Sequence, residues 1–292
     1  MTDNKIITDR EELLESVKFT GLGLKDASDT LKADREIVLE AIKFNGIQLV
    51  HASDTLKADR EIVLLAVRSL GYGTAGLALQ YADDSLKADR EIVLVAVKNN
   101  GYALKAASDT LKADREVVLE AVRNDSHSVP DSGNGFQYAS DTLKADREVV
   151  LVAVKDDGYA LEYADDSLKA DRELVLEAFK SMPDALEFVD DSLKADREFV
   201  LEAVRHNGYA IDYASDTLKA DREVVLEAVK NDGYAIDWVD DSFRADRELV
   251  LEAVKQTGNA LQFVDDTFKA DREVVLEAVK NEGWALEDAD DS

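Results

Sequence analysis

Apolar residues recur at spacings of three and four along residues 147–157, a pattern typical of an α-helix with one buried side. Asp146 precedes this stretch as a favoured N-cap residue, and Glu148 places negative charge in the first turn, where the helix dipole stabilises it. Lys155 falls in the last turn, and Gly158 follows where a left-handed residue commonly ends a helix. These signals predict one helix of about ten residues. Its apolar positions are Val149, Val150, Leu151, Ala153 and Val154.

A second apolar stripe follows Gly158 and predicts a second helix of similar length. No segment alternates with a period of two, and Glu, Lys and Ala are abundant, which argues against strands. Isolated helices of about ten residues are marginal in water, and stacking on neighbouring helix pairs buries their apolar sides. The sequence therefore predicts stacked helix pairs. The apolar positions of the second stripe are Tyr159, Leu161, Tyr163, Ala164 and Leu168.

The tripeptide Asp-Arg-Glu marks the period of the pattern. Eight of its ten intervals are 25 residues, and the other two are 30 and 32. The prediction is an all-α fold, an α-solenoid of eleven two-helix repeats of about 25 residues, forming a single domain over residues 1–292. The repeats begin near residues 8, 33, 58, 88, 113, 145, 170, 195, 220, 245 and 270.

Two insertions lengthen the period, and three single residues depart from the repeat pattern. Both longer intervals fall between the two predicted helices, at residues 71–76 and 125–135, where loops accept insertions at low cost or project from a binding face. Pro183 replaces a turn glycine, and we expect it in the first turn of the following helix. Asp26 and Asp288 take the aromatic position in the first and last repeats, as polar capping of a complete solenoid predicts. An excised piece of a longer array is the alternative.

The net charge of −28, from 63 acidic and 35 basic residues, limits the classes of partner that the protein is expected to bind. Nucleic-acid binding and docking to anionic lipid need clustered cations, so neither is expected, whereas a protein with a basic surface fits. The chain has no cysteine, no apolar run near the roughly 20 residues of a membrane span, and no secretory signal. We expect a soluble protein, with the cytoplasm favoured, and no cofactor; the oligomeric state is left open.

The charged motifs are interpreted mainly as structural. Repetition in fixed phase indicates that Asp-Arg-Glu supplies an N-cap, an acid in the first turn and an arginine that pairs with acids of the adjacent repeat. Paired aspartates offer oxygen ligands to Ca²⁺, but the sequence lacks the spacing of an EF-hand loop, so a solvated acidic face is favoured. The weak metal alternative rests on Asp165, Asp166, Asp240 and Asp241. The histidines His51, His127 and His206 have no zinc-ligand spacing.

Aromatic residues recur four apart in the second helix, as at Tyr159 and Tyr163 or Tyr234 and Trp238. They favour packing between repeats, with a groove that grips a partner as the alternative. The row reads Asp26, His51 and Ala106 toward the N-terminus and is aromatic later, so the two halves of the chain are expected to differ. The candidate partner-binding residues are Tyr138, Tyr163, Phe188, Tyr213, Trp238, Phe263, Tyr72 and His127.

The segment Arg222–Asp237, REVVLEAVKNDGYAID, and its counterparts resemble a known repeat family, the domain of unknown function 4116. The resemblance runs from about Thr8 to Asp291 and implies tandem helical repeats, with no activity or catalytic residue to carry over. We therefore expect a non-enzymatic protein–protein interaction or scaffolding repeat protein, suited to a place in a larger assembly. Acidic cation (Ca²⁺) buffering is the alternative, and an enzyme of unrecognised type is a remote one.

Overall fold

The structure, a computed structural model, describes residues 6–69, 76–124 and 135–290. Within these ranges the regular elements are helices. One isolated β-bridge pairs Ile7 with Ala27. The predicted all-α repeat architecture is confirmed. The chain divides into two compact units, Met1–Asp165 and Asp166–Ser292, and the single domain over residues 1–292 stays a prediction.

Each repeat begins with a long α-helix that starts at the arginine of the Asp-Arg-Glu motif. We number the repeats 1 to 11 by these helices, and unit 1 contains six of them: Arg10–Thr20, Arg35–Phe44, Arg60–Arg68, Arg90–Asn99, Arg115–Arg123 and Arg147–Asp156. Unit 2 contains the other five: Arg172–Ser181, Arg197–His206, Arg222–Asn231, Arg247–Gln256 and Arg272–Asn281.

The sequence predicts the second helix of each pair as one element of about ten residues. In repeats 1 to 10 it is instead two pieces, a 3₁₀ helix and a short helix of about one turn, and repeat 11 shows the 3₁₀ helix within the described residues. The 3₁₀ helices are Leu24–Asp26, Gly46–His51, Leu77–Tyr81, Gly101–Ala106, Gly135–Tyr138, Gly158–Tyr163, Pro183–Phe188, Gly208–Tyr213, Gly233–Asp237, Gly258–Phe263 and Gly283–Asp288. The short helices are Asp29–Lys32, Asp54–Lys57, Asp84–Lys87, Asp109–Lys112, Asp141–Lys144, Asp166–Lys169, Asp191–Lys194, Asp216–Lys219, Asp241–Ala245 (itself 3₁₀) and Asp266–Lys269.

The break between the two pieces has a local cause. Ala214, which ends one 3₁₀ helix, has extended backbone angles, and Ser215 after it is also extended as the N-cap of the short helix. Where this cap is an aspartate, its carboxylate accepts a hydrogen bond from the backbone two residues on, as Asp83 does from Ser85 (3.0 Å). An aspartate cap is stabilised in this way, whereas Ser215 makes no side-chain hydrogen bond to the backbone. In both cases the extended backbone at the cap prevents one continuous helix.

The core lies along the long helices and between successive repeats. In repeat 9 the side chains of Val224, Val225, Ala228 and Val229 are fully buried. Burying a valine side chain stabilises the fold by roughly 1.5–3 kcal/mol. Because the same positions recur in each long helix, every repeat adds one further layer to the core of its unit.

The Asp-Arg-Glu motif links successive repeats within each unit, as predicted. Asp221 caps its own helix by accepting hydrogen bonds from the backbone of Glu223 and Val224, at 3.0 and 3.3 Å. Arg197 of the preceding repeat donates to Asp221 (2.8 Å) and also pairs with Glu223. The arginines with this arrangement are Arg10, Arg35, Arg60, Arg90, Arg115, Arg197, Arg222 and Arg247.

A backbone hydrogen bond makes a second link between repeats. From the second short helix onward, the cap residue donates its N–H to the carbonyl of the basic residue at or near the end of the preceding short helix, as Ser53 does to Lys32 and Ser215 to Lys194, both at 2.9 Å. The extended cap that divides the second helix therefore also joins its repeat to the one before it.

Gly158 corrects an expectation about the turn. It begins a 3₁₀ helix, and among the described glycines positive φ occurs only at Gly21, Gly23 and Gly76. The left-handed cap predicted at Gly158 is therefore wrong. Close packing explains the glycine at this place in the repeat, because a Cβ added at Gly233 would lie 2.3 Å from the carbonyl oxygen of Ala253 in the next repeat.

Pro183 begins its 3₁₀ helix, as predicted, since that position of the repeat does not require positive φ. The last repeat is less polar than predicted. It carries Asp288 at the aromatic position but leaves Trp284 76% and Leu286 60% exposed. These two residues occupy positions that pack against a following repeat elsewhere in the chain.

Candidate functional site

Rings from neighbouring repeats meet along the 3₁₀ helices. The first ring position follows the turn glycine directly, and the second lies four residues later. The first ring of one repeat packs edge to face against the second ring of the next, with centroids 5.3 Å apart for Tyr102–Tyr138, 4.9 Å for Tyr209–Trp238 and 6.0 Å for Tyr234–Phe263. Such pairs contribute roughly 0.5–1.5 kcal/mol beyond the area that they bury.

The candidate rings are half-buried, and the ring contacts between neighbouring repeats agree with the packing interpretation, whereas the partner-binding groove stays a prediction. Tyr138, Trp238 and Phe263 pack against a ring of the preceding repeat, and part of each candidate residue remains accessible to solvent. The predicted residues that the structure describes in this state are Tyr138, Tyr163, Phe188, Tyr213, Trp238 and Phe263. The other two candidates, Tyr72 and His127, lie outside the described residues.

Tyr213 shows how a ring adapts when its partner is polar. Asp184 holds the first ring position in repeat 7, and the Tyr213 hydroxyl donates to its carboxylate at 3.1 Å. The Tyr209 hydroxyl lies 3.3 Å from the Tyr213 hydroxyl. Burial, the hydrogen bond with Tyr209 and the nearby Asp184 charge raise the pKa of Tyr213 well above its usual value. This tyrosine is therefore a neutral hydrogen-bonding group.

An exposed carboxylate follows each ring of unit 2 by three residues, at the first residue of the short helix. The side chains of Asp191, Asp241 and Asp266 have 99%, 94% and 93% of their surface exposed. Each of these carboxylates also lies 3.0–3.7 Å from the basic residue three positions later, Lys194, Arg244 or Lys269. Because most of its surface is still exposed, the carboxylate and the half-buried ring match a further arginine or lysine side chain, which forms both cation–π and ionic contacts. Sequence reasoning noticed the paired aspartates but did not connect them with the rings, although the constant spacing of three was available.

Charge is unevenly divided between the units. Unit 2 contains 33 acidic and 15 basic residues, a net charge of −18, whereas unit 1 contains 30 and 20, a net charge of −10. Unit 2 also places Glu187, Asp212 and Asp237 directly before its second rings, where unit 1 has Lys25, Val50, Gln80 and Lys105 in repeats 1 to 4. The expected difference between the two halves is therefore one of charge as well as of ring content.

The paired aspartates do not converge on a common point. Asp240 accepts hydrogen bonds from Ser242, and Asp241 lies 3.7 Å from Arg244. Asp166 pairs with Lys169 at 3.0 Å, and Asp165 is an extended residue whose N–H bonds to Lys144. Across the described ranges, no group of three His, Asp or Glu side chains is placed to hold a metal ion. Cation binding at these aspartates stays an untested prediction.

Two histidines fall within the described residues. His206 packs edge to face against Phe179, with centroids 5.7 Å apart. His51 holds a second ring position in unit 1, where burial and the nearby Lys32 lower its pKa. Packing between repeats accounts for His206, because Phe179 belongs to the long helix of the preceding repeat.

No helix in the described part of the chain is long and apolar enough to cross a membrane. Searches of curated proteins and of solved structures gave no match. A family model does match, repeatedly, over residues 9–57, 34–75, 59–112, 89–132, 114–169, 146–194, 171–218, 196–244 and 246–292. The matches tile nearly the whole chain with the period of the helices, and the chain belongs to the family described as domain of unknown function DUF4116.

Proposed function

We propose that the protein is a non-enzymatic interaction or scaffolding protein whose unit 2 binds a basic segment of another protein. The observation that carries the proposal is the repeated pair of a half-buried ring and an exposed carboxylate. Four consecutive repeats present it, with the rings Phe188, Tyr213, Trp238 and Phe263 and the carboxylates Asp191, Asp216, Asp241 and Asp266.

Recognition of this kind is multivalent. A single exposed ion pair contributes only about 0–1 kcal/mol, but several in register add up and steer association of an oppositely charged partner. Each ring adds a face for the apolar stem or the guanidinium of a basic side chain. A net charge of −18 on unit 2 selects against acidic partners and nucleic acids.

A defined probe tests the charge contribution. We would measure the binding of a fluorescein-labelled nine-residue arginine peptide by anisotropy, in low salt and at about 150 mM salt. The double variant Asp216→Asn with Asp241→Asn should weaken binding about three- to tenfold, because two contact charges are lost. The matched control, Asp54→Asn with Asp109→Asn, changes the same helix position and the same net charge in unit 1. Equal weakening by both variants would show that only net charge matters and would contradict the proposed surface.

The ring contribution needs its own variant. Trp238→Leu keeps apolar bulk between the repeats and removes the aromatic face, so we expect weaker binding of the arginine peptide with the helical circular dichroism retained. Tyr102→Leu, a half-buried ring of unit 1, is the control. Capture from native extract at two salt concentrations, with mass-spectrometric identification, then names the natural partner.

A further inference from the structure

A cavity of about 620 Å³ opens in unit 1 between the 3₁₀ and short helices of repeats 3 and 4. This volume lies within the range of small-molecule sites, roughly 300–1,000 Å³. The cavity exists because Leu77 of repeat 3 and Ala106 of repeat 4 hold the two ring positions that Tyr209 and Trp238 fill in repeats 8 and 9. Its apolar wall consists of Leu77, Ala103, Ala106 and Ala107.

The polar side of this cavity is cationic. Lys87 and Lys112 line it together with their own acids Asp84 and Asp109, at 3.0 and 3.7 Å. Lys105 is different. Its Nζ atom donates to the Tyr102 hydroxyl at 2.8 Å and lies 5.1 Å from the centroid of that ring.

Lys105 also lies 5.6 Å from the centroid of the Tyr138 ring. Within residues 6–69, 76–124 and 135–290 it has no carboxylate partner, although the chain has a net charge of −28. The equivalent position is acidic in repeats 6 to 9, at Glu162, Glu187, Asp212 and Asp237. An ammonium group that is stacked on rings and lacks a carboxylate is available to an incoming anion.

A depression at the same place in repeat 1 offers an internal comparison. It has a volume of about 510 Å³ and is lined by Lys25 and Lys32, but Asp26 stands where repeat 4 has Ala106. That carboxylate repels an anion, whereas Ala106 leaves both room and positive charge. The combination of an alanine with a preceding lysine therefore distinguishes the cavity of repeat 4.

We propose that this cavity binds a small organic anion with an apolar body. The anionic group lies against the Lys105 ammonium and the Tyr102 hydroxyl, and the body packs on Leu77, Ala103 and Ala106. The site is separate from the acidic surface of unit 2 and selects the opposite charge, so it does not rest on the function proposed above.

Two related probes separate charge from apolar contact. 8-Anilinonaphthalene-1-sulfonate carries one anionic group, and N-phenyl-1-naphthylamine is its neutral parent. By fluorescence titration of the full chain, we expect the anionic probe to saturate at one site. Lys105→Glu should weaken the anionic probe about tenfold or more and the neutral probe by less than about threefold, since only the former loses a charge-assisted contact. Ala106→Tyr, which restores the ring found in other repeats, should weaken both probes about tenfold by filling the cavity.

Both substitutions introduce residue types that the repeat already holds at these positions, which favours retention of the fold. Thermal melting checks it, and Lys105→Gln and Ala106→His, which copy Gln80 and His51 of other repeats, serve as second variants. Lys98→Glu, on the exposed end of a long helix in the same repeat, is the charge-matched control and should bind both probes as the unchanged chain does. Absence of a saturable site, or binding of the anionic probe unaltered by Lys105→Glu and Ala106→Tyr, would overturn the proposal.

Discussion

The indole of Trp238 lies edge to face against the phenol ring of Tyr209, with the centroids 4.9 Å apart and the ring planes at 82°. The two residues belong to consecutive repeats, so this contact contributes to the packing of one repeat against the next. We expect Trp238→Ala to lower the free energy of unfolding by about 2 kcal/mol, below the 3–5 kcal/mol of a fully buried site because the ring is half-exposed.

Trp238→Phe retains an aromatic ring and should cost less than half as much. Urea unfolding followed by far-ultraviolet circular dichroism compares the two variants. Equal losses would mean that an aromatic ring as such contributes little to stability at this position.

Gly233 and Gly283 form a natural pair for testing the close approach between repeats. A Cβ at Gly233 would lie 2.3 Å from the Ala253 oxygen, whereas at Gly283 it would meet nothing within 4 Å. We expect Gly233→Ala to destabilise the protein by more than about 2 kcal/mol, through the displacement it forces. Gly283→Ala should be neutral or slightly stabilising, because alanine reduces the entropy of the unfolded chain. Thermal melting of both variants checks this, and a large loss at Gly283 would refute the packing explanation.

Acid should weaken the links made by the Asp-Arg-Glu motif. The hydrogen bond from Arg197 and those from the backbone N–H groups of Val224 and Glu223 lower the pKa of Asp221 below its usual 3.8. A pKa that is lower in the folded state stabilises the protein above the unfolded-state value, and this stability is lost as pH falls through the folded-state value. We therefore expect unfolding to become easier below about pH 4.

Carboxyl titration of Asp221 by nuclear magnetic resonance measures the shift directly. Arg197→Gln should move the Asp221 pKa back toward 3.8 and reduce the loss of stability in acid. A pKa unchanged by that variant would show that the backbone cap alone sets it.

Salt should stabilise this acidic chain. Repulsion among the charges that give unit 2 its net −18 acts over distances near or beyond the Debye length, about 8 Å at 150 mM, and is screened. The Arg197–Asp221 contact, at 2.8 Å, is shorter and is screened less. We expect a higher melting temperature in moderate salt than in dilute buffer, with sodium chloride and tetramethylammonium chloride giving similar increases. An unchanged or lower value would contradict this expectation.

Calcium should produce no stoichiometric binding, since the Asp240 carboxylate is used by Ser242 and Asp241 lies near Arg244. Ca²⁺ requires six to eight oxygen ligands, which these aspartates do not bring together. Isothermal titration calorimetry at millimolar Ca²⁺ should give no saturable heat, and the melting temperature should not exceed that in matched ionic strength. A saturable isotherm would revive the cation-buffering alternative.

The helix signals of the sequence translate directly into structure because they act over a few residues. Asp146 caps its helix by accepting hydrogen bonds from Glu148 and Val149, and Pro183 begins a 3₁₀ helix, both as predicted. The pairing of the motif arginine with acids of the adjacent repeat was also predictable, since eleven copies in one phase need a common partner. These features depend on local geometry and on the period.

Features that depend on how closely the repeats approach were not predictable. The sequence predicts a left-handed cap at Gly158. Only the close approach of Gly233 to Ala253 in the structure shows that this position of the repeat has no room for a Cβ. The sequence shows Ala106 as a non-aromatic residue in the aromatic row. It does not show that Leu77 of the preceding repeat lies on the other side of the same cavity, which forms because neither residue has a ring. The sequence shows that Lys105 is basic where repeats 6 to 9 have an acid. Its proposed role in binding an anion depends on the contacts with Tyr102 and Tyr138, which only the structure shows.

Each copy of Asp-Arg-Glu contains both the basic and the acidic partner of the ion pairs between repeats. Its arginine reaches forward to the next copy, and its two acids receive the arginine of the copy before, as Arg197, Asp221 and Glu223 show. A duplicated stretch of one period would therefore arrive with matching ends on both sides. Recombination between copies can lengthen or shorten such a gene by whole periods without designing a new contact, and an aromatic or charged surface can be extended in the same step.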